Sequence, residues 1–458
     1  MFELNDTIVA PITPTGVGAI SVIRISGSNA IDFVNPLFSS KNLSLQATHT
    51  MHYGTLKSHD SVVLDEVVVA LYKSPNSFTG EDVVEISCHG SSLIQNGILN
   101  ELIIAGARMA RPGEFTMRAF LNGKLDLVQA ESVADLINSN SVASRNASLK
   151  HLRGNYSKIL HSLRDELVGF SSLNELELDF AEEDVEFMDR TKFSNLIENL
   201  ISKTSQLIDS FRLGNVIKNG VQTAIVGKVN SGKSTLLNTL LNENRAIVSD
   251  IAGTTRDTIE EVLNLNGIIF RLIDTAGIRN DTNDEIEKQG IQRSLDKINT
   301  ADLVIYLFDV NSTTVDELQA QIDNLNSKGV KYILLGNKID VPNSEDKIQP
   351  FKLFDNIFFI SAQKGTNVEE LKTKLIALVT DNTVDVEGVV VTNARHIDSL
   401  KKLLTSLLSV QNGLNSGISG DILSIDIKDC LYHLGVITGK VTNDEQLDFI
   451  FSKFCIGK

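Results

Sequence analysis

Hydrophobic positions change their spacing three times along the chain, and each change predicts a different kind of structure. Up to about residue 120, short β-branched runs ("TIVAPIT", "GAISVIRISG", "EVVVALY", "DVVEISCHG") alternate with Gly, Pro, Ser and Asn. These predict strands, and "SLIQNGILNELIIAGA" between them predicts an amphipathic helix, so this part reads as α+β. From about 125 to 213 strand runs vanish. The stretch "LVQAESVADLINSNSVASRNASLKHLRGNYSKILHSLRDELVGF" instead places apolar residues three and four apart, which is the spacing of helices. From about 218 to 380 apolar runs ("TAIVG", "FRLID", "ADLVIYLFDV", "KYILLG", "IFFISA") are separated by helical stretches, the pattern of a doubly wound parallel sheet. After 390 helices return in "HIDSLKKLLTSLLSV", "ILSIDIKDCLYHLG" and "DEQLDFIFSKF". Helices on both sides of a complete α/β unit imply that the unit is inserted into one helical domain, which the two flanks complete. The expected domains are therefore 1–120, 121–215 (first helical part), 216–380 (the insertion) and 381–458 (second helical part). The acidic stretch "NELELDFAEEDVEF" is expected to be a solvated helix face.

Composition narrows the classes. At 458 residues there is room for about two to four domains. With 42% hydrophobic and 22% charged residues the chain reads as folded. A net charge of -16 argues against a free-standing nucleic-acid binder with a basic surface, so any RNA contact must be local or shared with a partner. The opening "MFELNDTIVAPITPTG" has neither a basic start nor an apolar run, so no signal peptide is expected. No stretch reaches the length of a membrane span. Three widely spaced cysteines, Cys88, Cys430 and Cys455, exclude a disulfide framework and a CxxC metal knuckle and fit a reducing cytoplasm.

The chemistry is concentrated in the α/β part. "GKVNSGKST", from Gly227, follows a strand and precedes a helix, and it fits G-x-x-x-x-G-K-[ST]. Backbone N–H groups of Asn230, Ser231, Gly232 and Thr235 would cradle phosphates at a helix N-terminus. Lys233 would reach the β- and γ-phosphates and Ser234 would ligate Mg²⁺. "SDIAGTTRD" follows, with Ser249, Asp250, Ile251, Ala252, Gly253 and Thr254 leading to Thr255, the second protein ligand for Mg²⁺. "DTAG" offers Asp274 to the metal shell and, after Thr275 and Ala276, the Gly277 N–H to the γ-phosphate. "NKID" (Asn337, Lys338, Ile339, Asp340) selects the base, because a carboxylate at Asp340 can accept both the N1–H and N2 protons of guanine, whereas adenine offers a lone pair at N1. Ser361, Ala362 and Gln363 of "SAQKG" would supply backbone contacts to guanine O6. The nucleotide expected is GTP.

The hydrolytic group is less plain. Ras-type GTPases place a water-orienting glutamine after D-x-x-G, and here that residue is Ile278. Asp284, Glu285 and Glu287 in "NDTNDEIEKQG" are carboxylates that could hold the water, although acids there also suit a helix N-terminus. Arg256 or Arg279 could neutralise transition-state charge, or a monovalent cation could do so if Asn230 and neighbouring carbonyls bind it.

The stretches "DTIVAPITPTGVGAISVIRISG", "NSFTGEDVVEISCHG", "ARPGEFTMRAFLNGKLDLVQAESVADLI", the inserted GTPase with "GTTRD", and a terminal "CIGK" together resemble the MnmE (TrmE) family of tRNA-modification GTPases. The resemblance covers essentially the whole chain. It implies a multidomain α+β and α/β protein with an α+β tetrahydrofolate-binding and dimerisation domain, a helical middle domain from two segments, and an inserted Ras-like P-loop G domain. It further implies a cytoplasmic homodimer that binds tRNA and the flavoprotein MnmG, forming a heterotetramer or larger complex, with FAD on the partner. Together they would place a carboxymethylaminomethyl or aminomethyl group on C5 of the wobble uridine, drawing carbon from 5-formyl- or 5,10-methylene-tetrahydrofolate. By the same resemblance Asn230, Ser249, Ile251 and Thr254 bind K⁺, Glu287 is the catalytic glutamate, and Arg24, Glu85, Lys124 and Lys458 bind the folate. The rival expectation is a regulatory or ribosome-assembly GTPase switch, which would usually add a basic RNA-binding module.

The final "CIGK" is not a prenylation box, because Lys458 replaces the small or apolar last residue such a box needs. It is expected to be carried back to the folate-type domain of its own or a partner chain, with Lys458 on the cofactor and Cys455 as a candidate catalytic thiol.

Overall fold

The computed structural model describes residues 6–14, 16–179, 190–244, 261–273, 301–342, 344–380 and 388–457. The chain forms two compact units. One is built from Met1–Asn138, Ser148–Ser205 and Arg395–Lys458, the other from Ser139–Ala147 and Gln206–Ala394.

In the first unit β1 (Ile8–Pro11), β2 (Ile20–Ser26), β3 (Thr50–Lys57), β4 (Val63–Tyr72), β5 (Val83–His89) and β6 (Arg108–Met109) form a sheet in the order β3-β4-β5-β2-β1-β6. Neighbours are antiparallel except β1 and β6. Alternation in "ISVIRIS" sends Ile23 and Ile25 to one face, where they meet Val69, Leu71, Val84 and Ile86 beneath Ile98 and Leu102 of the helix Ser92–Ile104. The other face then receives Val22, Arg24 and Ser26. Strand β3 was not expected from the sequence, since "TMHYGTLK" has no apolar run. It pairs along nearly the whole of β4, with His52, Gly54 and Leu56 buried and Met51 and Tyr53 exposed. Gly54 is required there, because a Cβ would stand 2.1 Å from Ser40 Oγ and 2.6 Å from Phe38 Cζ.

The helices of this unit come from both flanks. Leu127–Ile137 starts with a capping box between Asp126 and Gln129. Its Leu127 and Ala130 pack with Met117 and with Leu447 and Phe451 of the helix Asp444–Phe451. Asn174, on the helix Asn155–Asp179, donates to the Gly420 carbonyl at 2.9 Å, tying that helix to Gly420–Thr438. Glu175, in the acidic stretch, is exposed and 3.6 Å from Lys428, as a solvated face would have it, and that stretch from residue 180 onward lies outside the described residues. Glu131 is buried between these flanks. It receives Arg395 Nε at 3.1 Å, Arg395 Nη2 at 3.0 Å and His396 Nε2 at 2.7 Å.

The second unit holds β7 (Val221–Val226), β8 (Glu261–Leu265), β9 (Ile268–Leu272), β10 (Leu303–Asp309), β11 (Lys331–Asn337) and β12 (Ile357–Phe359), ordered β12-β11-β10-β7-β9-β8. All pairs are parallel except β8 with β9. Apolar residues on both faces, such as Ile305 and Leu307 on one and Val304, Tyr306 and Phe308 on the other, explain why the central strand reads as a continuous run. The pattern of apolar runs missed β8, yet a local signal was present. Asn266 (φ 49°) and Gly267 (φ 89°) make the two-residue turn that an Asn-Gly pair between apolar stretches favours. The incoming and outgoing chains of this unit touch. Ser210 Oγ accepts from the Val391 N–H at 3.1 Å, and a Cβ on Gly214 would lie 2.0 Å from the Val391 carbonyl oxygen.

Burial alone would raise the Glu131 carboxyl, but His396 and Arg395 outweigh it and hold it at about 2. The folded value lies below the ~4.3 of a free glutamate, so the stabilisation is present above that value and lost as pH falls through about 2. Glu131→Gln should cost about 3 kcal/mol at neutral pH, because Arg395 loses its buried counter-charge. The variant should also show a flatter decline of melting temperature between pH ~4.5 and ~2. Melting curves across that range, superimposable for the variant and the wild type, would contradict this role.

Candidate functional site

The end of β7 passes into the helix Lys233–Asn244 through residues 227–232, with Asn230 (φ 64°) and Gly232 (φ 100°) in left-handed conformations. Gly227 comes so close to β10 that a Cβ would be 2.1 Å from the Leu307 carbonyl oxygen. A Cβ on Gly232 would be 2.2 Å from Asn337 Nδ2. No side chain fits, so the loop presents backbone N–H groups at the start of a helix, the arrangement that receives phosphates. The Lys233 ammonium donates to the carbonyls of Gly227 (3.0 Å) and Lys228 (2.9 Å), folding back over the loop it belongs to. Ser234 follows it in the first turn.

Asn337, the last residue of β11, ties three motifs with one amide. Its Nδ2 donates to the Ser231 carbonyl at 2.8 Å, and its Oδ1 accepts from the Ala362 N–H at 2.9 Å. Lys338 pairs with Asp309 at the end of β10 at 2.8 Å. Burial would raise the Asp309 carboxyl, but Lys338 and the Asn311 donors outweigh it and hold it below the usual carboxylate range. One Asp340 oxygen accepts from Ser361 Oγ at 2.7 Å, and Ser361 Oγ accepts from the Lys364 N–H at 3.1 Å. The Ala362 carbonyl in turn receives Thr239 Oγ1, on the helix that begins at Lys233, at 2.8 Å. The structure thus brings Asn230–Thr235, Asn337–Asp340 and Ser361–Gln363 to one end of the sheet. This is where an open α/β sheet binds its ligand.

In the first unit Arg24 and Glu85 are opposite each other in the β2–β5 register and form an ion pair at 2.8 Å. The Arg24 guanidinium lies over two rings, 5.2 Å from the centre of Phe78 and 5.5 Å from that of Phe115. Lys124 Nζ donates to the Pro75 carbonyl at 3.0 Å, so Lys124 and Arg24 both meet the loop between β4 and β5. That loop is anchored through Glu81. Arg118, fully buried, bonds to Glu81 at 3.1 Å, to Glu114 at 3.2 Å, and to both the side chain and the carbonyl of Asp6. Cys455 is the exposed one of the three cysteines, and its carbonyl accepts from the Gly113 N–H at 3.3 Å. Cys88 and Cys430 lie in the cores, where burial pushes both thiols up, that of Cys88 to about 11.

A model of the GTP-binding protein TrmE N-terminus matches residues 7–124, and a model of the MnmE helical domain matches residues 127–455. The chain is 52% identical over 455 residues to the tRNA modification GTPase MnmE of Cytophaga hutchinsonii, covering 99% of this chain and 98% of that one. It is 50% identical over 465 residues to that of Flavobacterium johnsoniae (99% of each) and 46% identical over 467 residues to that of Bacteroides fragilis (99% and 100%). The chain belongs to the MnmE family of tRNA modification GTPases.

Several residues that matter to the MnmE reading lie outside the described residues. They are Ser249, Asp250, Ile251, Ala252, Gly253, Thr254 and Thr255, Asp274, Thr275, Ala276 and Gly277, the carboxylates Asp284, Glu285 and Glu287 with Arg256, Ile278 and Arg279, and Lys458. Ile273, just before Asp274, bonds to the Thr223 carbonyl of β7 at 3.0 Å. Among the described residues, no group of three or more His, Cys, Asp or Glu side chains could hold a metal. Among them, too, no helix is long and apolar enough to cross a membrane. Sequence reasoning missed Phe78, Phe115 and Arg118. Phe78 and Phe115 stood inside quoted family stretches, but an aromatic residue beside charged ones gives no sign of stacking until the fold brings it over a guanidinium.

Asp340→Asn should reverse base selection, because an amide can donate to a xanthine oxygen but loses its second acceptor for guanine. GTP affinity should fall by about 2 kcal/mol while xanthosine triphosphate binding appears. Competition binding with the two nucleotides checks this, and retained GTP preference would overturn the role of Asp340.

Proposed function

We propose that the protein couples GTP hydrolysis to addition of a carboxymethylaminomethyl or aminomethyl group at C5 of the wobble uridine of tRNA. It would act as a cytoplasmic homodimer with the flavoprotein MnmG, in a heterotetramer or larger assembly. The domains proposed are 1–120, 121–215, 216–380 and 381–458. The observation that supports this reading most is the pairing, in one chain, of a guanine-type site clasped by Asn337 with an Arg24–Glu85 pair set on two aromatic rings in the other unit. Family matches over the N-terminal and helical parts favour it over a ribosome-assembly switch, which would not need those parts.

The loop after β7 fits a triphosphate, because Gly232 excludes side-chain atoms and Lys233 has an ammonium that phosphate oxygens would draw from the loop carbonyls. Ser234 and Thr255 would hold Mg²⁺, and Asn230, Ser249, Ile251 and Thr254 would hold K⁺. When bound, these ions supply positive charge at the phosphates. Glu287 orients the attacking water and Asp340 fixes the base. In the first unit Glu85 is suited to the pterin amino and N3–H donors of a 5-formyl- or 5,10-methylene-tetrahydrofolate, with Arg24, its ion-pair partner, beside it at the same end, and Lys124 and Lys458 are suited to the carboxylates of the tail. That folate supplies one carbon, and the FAD of the partner supplies redox capacity.

Hydrolysis of GTP should be much faster in potassium than in sodium salts, and steady-state rates in both would show it. Equal rates would remove the K⁺ assignment. Glu287→Ala should lower hydrolysis by about a hundredfold or more with GTP affinity unchanged. Mass analysis of wobble uridines in tRNA from cells lacking the protein decides the whole reading. The expected result is loss of the C5 group, and a normal modification pattern would favour the rival switch.

A further inference from the structure

The phosphate loop is held on two sides, and only the inner one uses a nucleotide motif. There Asn337 bonds to the Ser231 carbonyl and stands 2.2 Å from where a Cβ on Gly232 would be. On the outer side is Lys228, a position that G-x-x-x-x-G-K-[ST] leaves open. Its main chain shapes the turn, because the Lys228 carbonyl accepts from the Ser231 N–H at 3.3 Å and from the Lys233 ammonium at 2.9 Å, around Asn230 with φ 64°. Its side chain leaves the loop and meets Glu317, on the helix Val315–Ser327, at 2.7 Å. Val229 beside it is 63% exposed, so this corner gains little from apolar packing.

Glu317 is fixed from behind. Its other oxygen accepts from the Thr314 N–H at 3.1 Å, and Thr314 Oγ1 accepts from the Glu317 N–H at 3.3 Å, which makes a capping box. Lys228 and the Thr314 N–H hold the Glu317 carboxyl below the usual carboxylate range. The stretch "DVNSTTVDE", which ends at Glu317, reaches the guanine motif at its other end. Asp309 pairs with Lys338 and accepts from the Asn311 N–H at 2.9 Å, and Asn311 Nδ2 donates to the Lys338 carbonyl at 3.2 Å. We propose that Lys228 and Glu317 are positioning residues. Their ion pair clasps the outer corner of the phosphate loop to a segment already fastened to Lys338, and so slows the release of bound nucleotide. The pair is about half exposed, and such pairs change an equilibrium by no more than about fivefold.

The test is release of a fluorescent GDP analogue from the full-length protein, at fixed potassium, with ionic strength set by tetramethylammonium chloride. Glu317→Gln removes the charge but keeps an oxygen for the Thr314 N–H, so the helix start survives. At low ionic strength this variant should release the analogue about threefold faster than wild type. KM for GTP should rise by a similar factor, with kcat and melting temperature unchanged. As salt rises toward ~1 M the two release rates should converge, because screening removes the pair. Lys228→Met should match Glu317→Gln, Lys228→Arg should behave as wild type, and the double variant should be no faster than either single one. Equal release from Glu317→Gln and wild type at low salt would overturn the proposal. So would single effects that add in the double variant, or a difference that persists undiminished at high salt.

Discussion

A carboxylate buried where Glu131 is would be expelled unless charged partners met it, and those partners stand 264 and 265 positions further along the chain. The helix Leu127–Ile137 and the helix Ala394–Asn415 therefore depend on one another. Arg395 extends the dependence to a third helix, because it also donates to the Val436 and Ile437 carbonyls near the end of Gly420–Thr438, groups that have no partner within their own helix. Tyr156, whose ring is 5.7 Å from His396, closes the cluster on the side of Asn155–Asp179. The two flanks of the inserted unit are thus joined by charge as well as by the apolar contacts of Leu127 with Leu447 and Phe451.

The GTP site follows a related economy in the other unit. One side-chain amide, that of Asn337, joins the loop after β7 to the stretches 337–340 and 361–363. Three stretches far apart in the sequence are therefore held at a fixed spacing. Lys338 with Asp309, and Asp340 with Ser361, continue the same edge outward. In the first unit the Arg24–Glu85 pair is supported from behind in another way, by aromatic rings and by the buried Arg118 network that holds the loop carrying Phe78.

Most of this was legible in the sequence where local rules suffice. Continuous apolar runs announced β10 and β11, three-and-four spacing announced the helices of both flanks, and the motifs picked out after β7, β11 and β12 lie together at one end of the sheet. The failures have physical causes. Strand β3 owes its place to pairing with the long β4 rather than to its own composition, and tertiary context overrides weak local preference there. Strand β8 was hidden because only its turn, Asn266–Gly267, carries a strong signal. The stacking of Phe78 and Phe115 on Arg24 joins residues from three separate segments, which no spacing rule can foresee. For the "CIGK" stretch, sequence left open whether its own chain or a partner received it; in the single chain Gly457 packs on Pro11 and Ile12, a contact that no spacing rule announces.

The contact between Val391 and the Ser210–Gly214 stretch has a meaning beyond packing. Because the two ends of the inserted unit are neighbours, the host fold sees about 190 residues (206 to 394) as it would see a short surface loop. The entropic cost of such a connection is set by the gap between its two ends and not by the size of the module it carries, so a nucleotide-binding unit of any length can occupy that place.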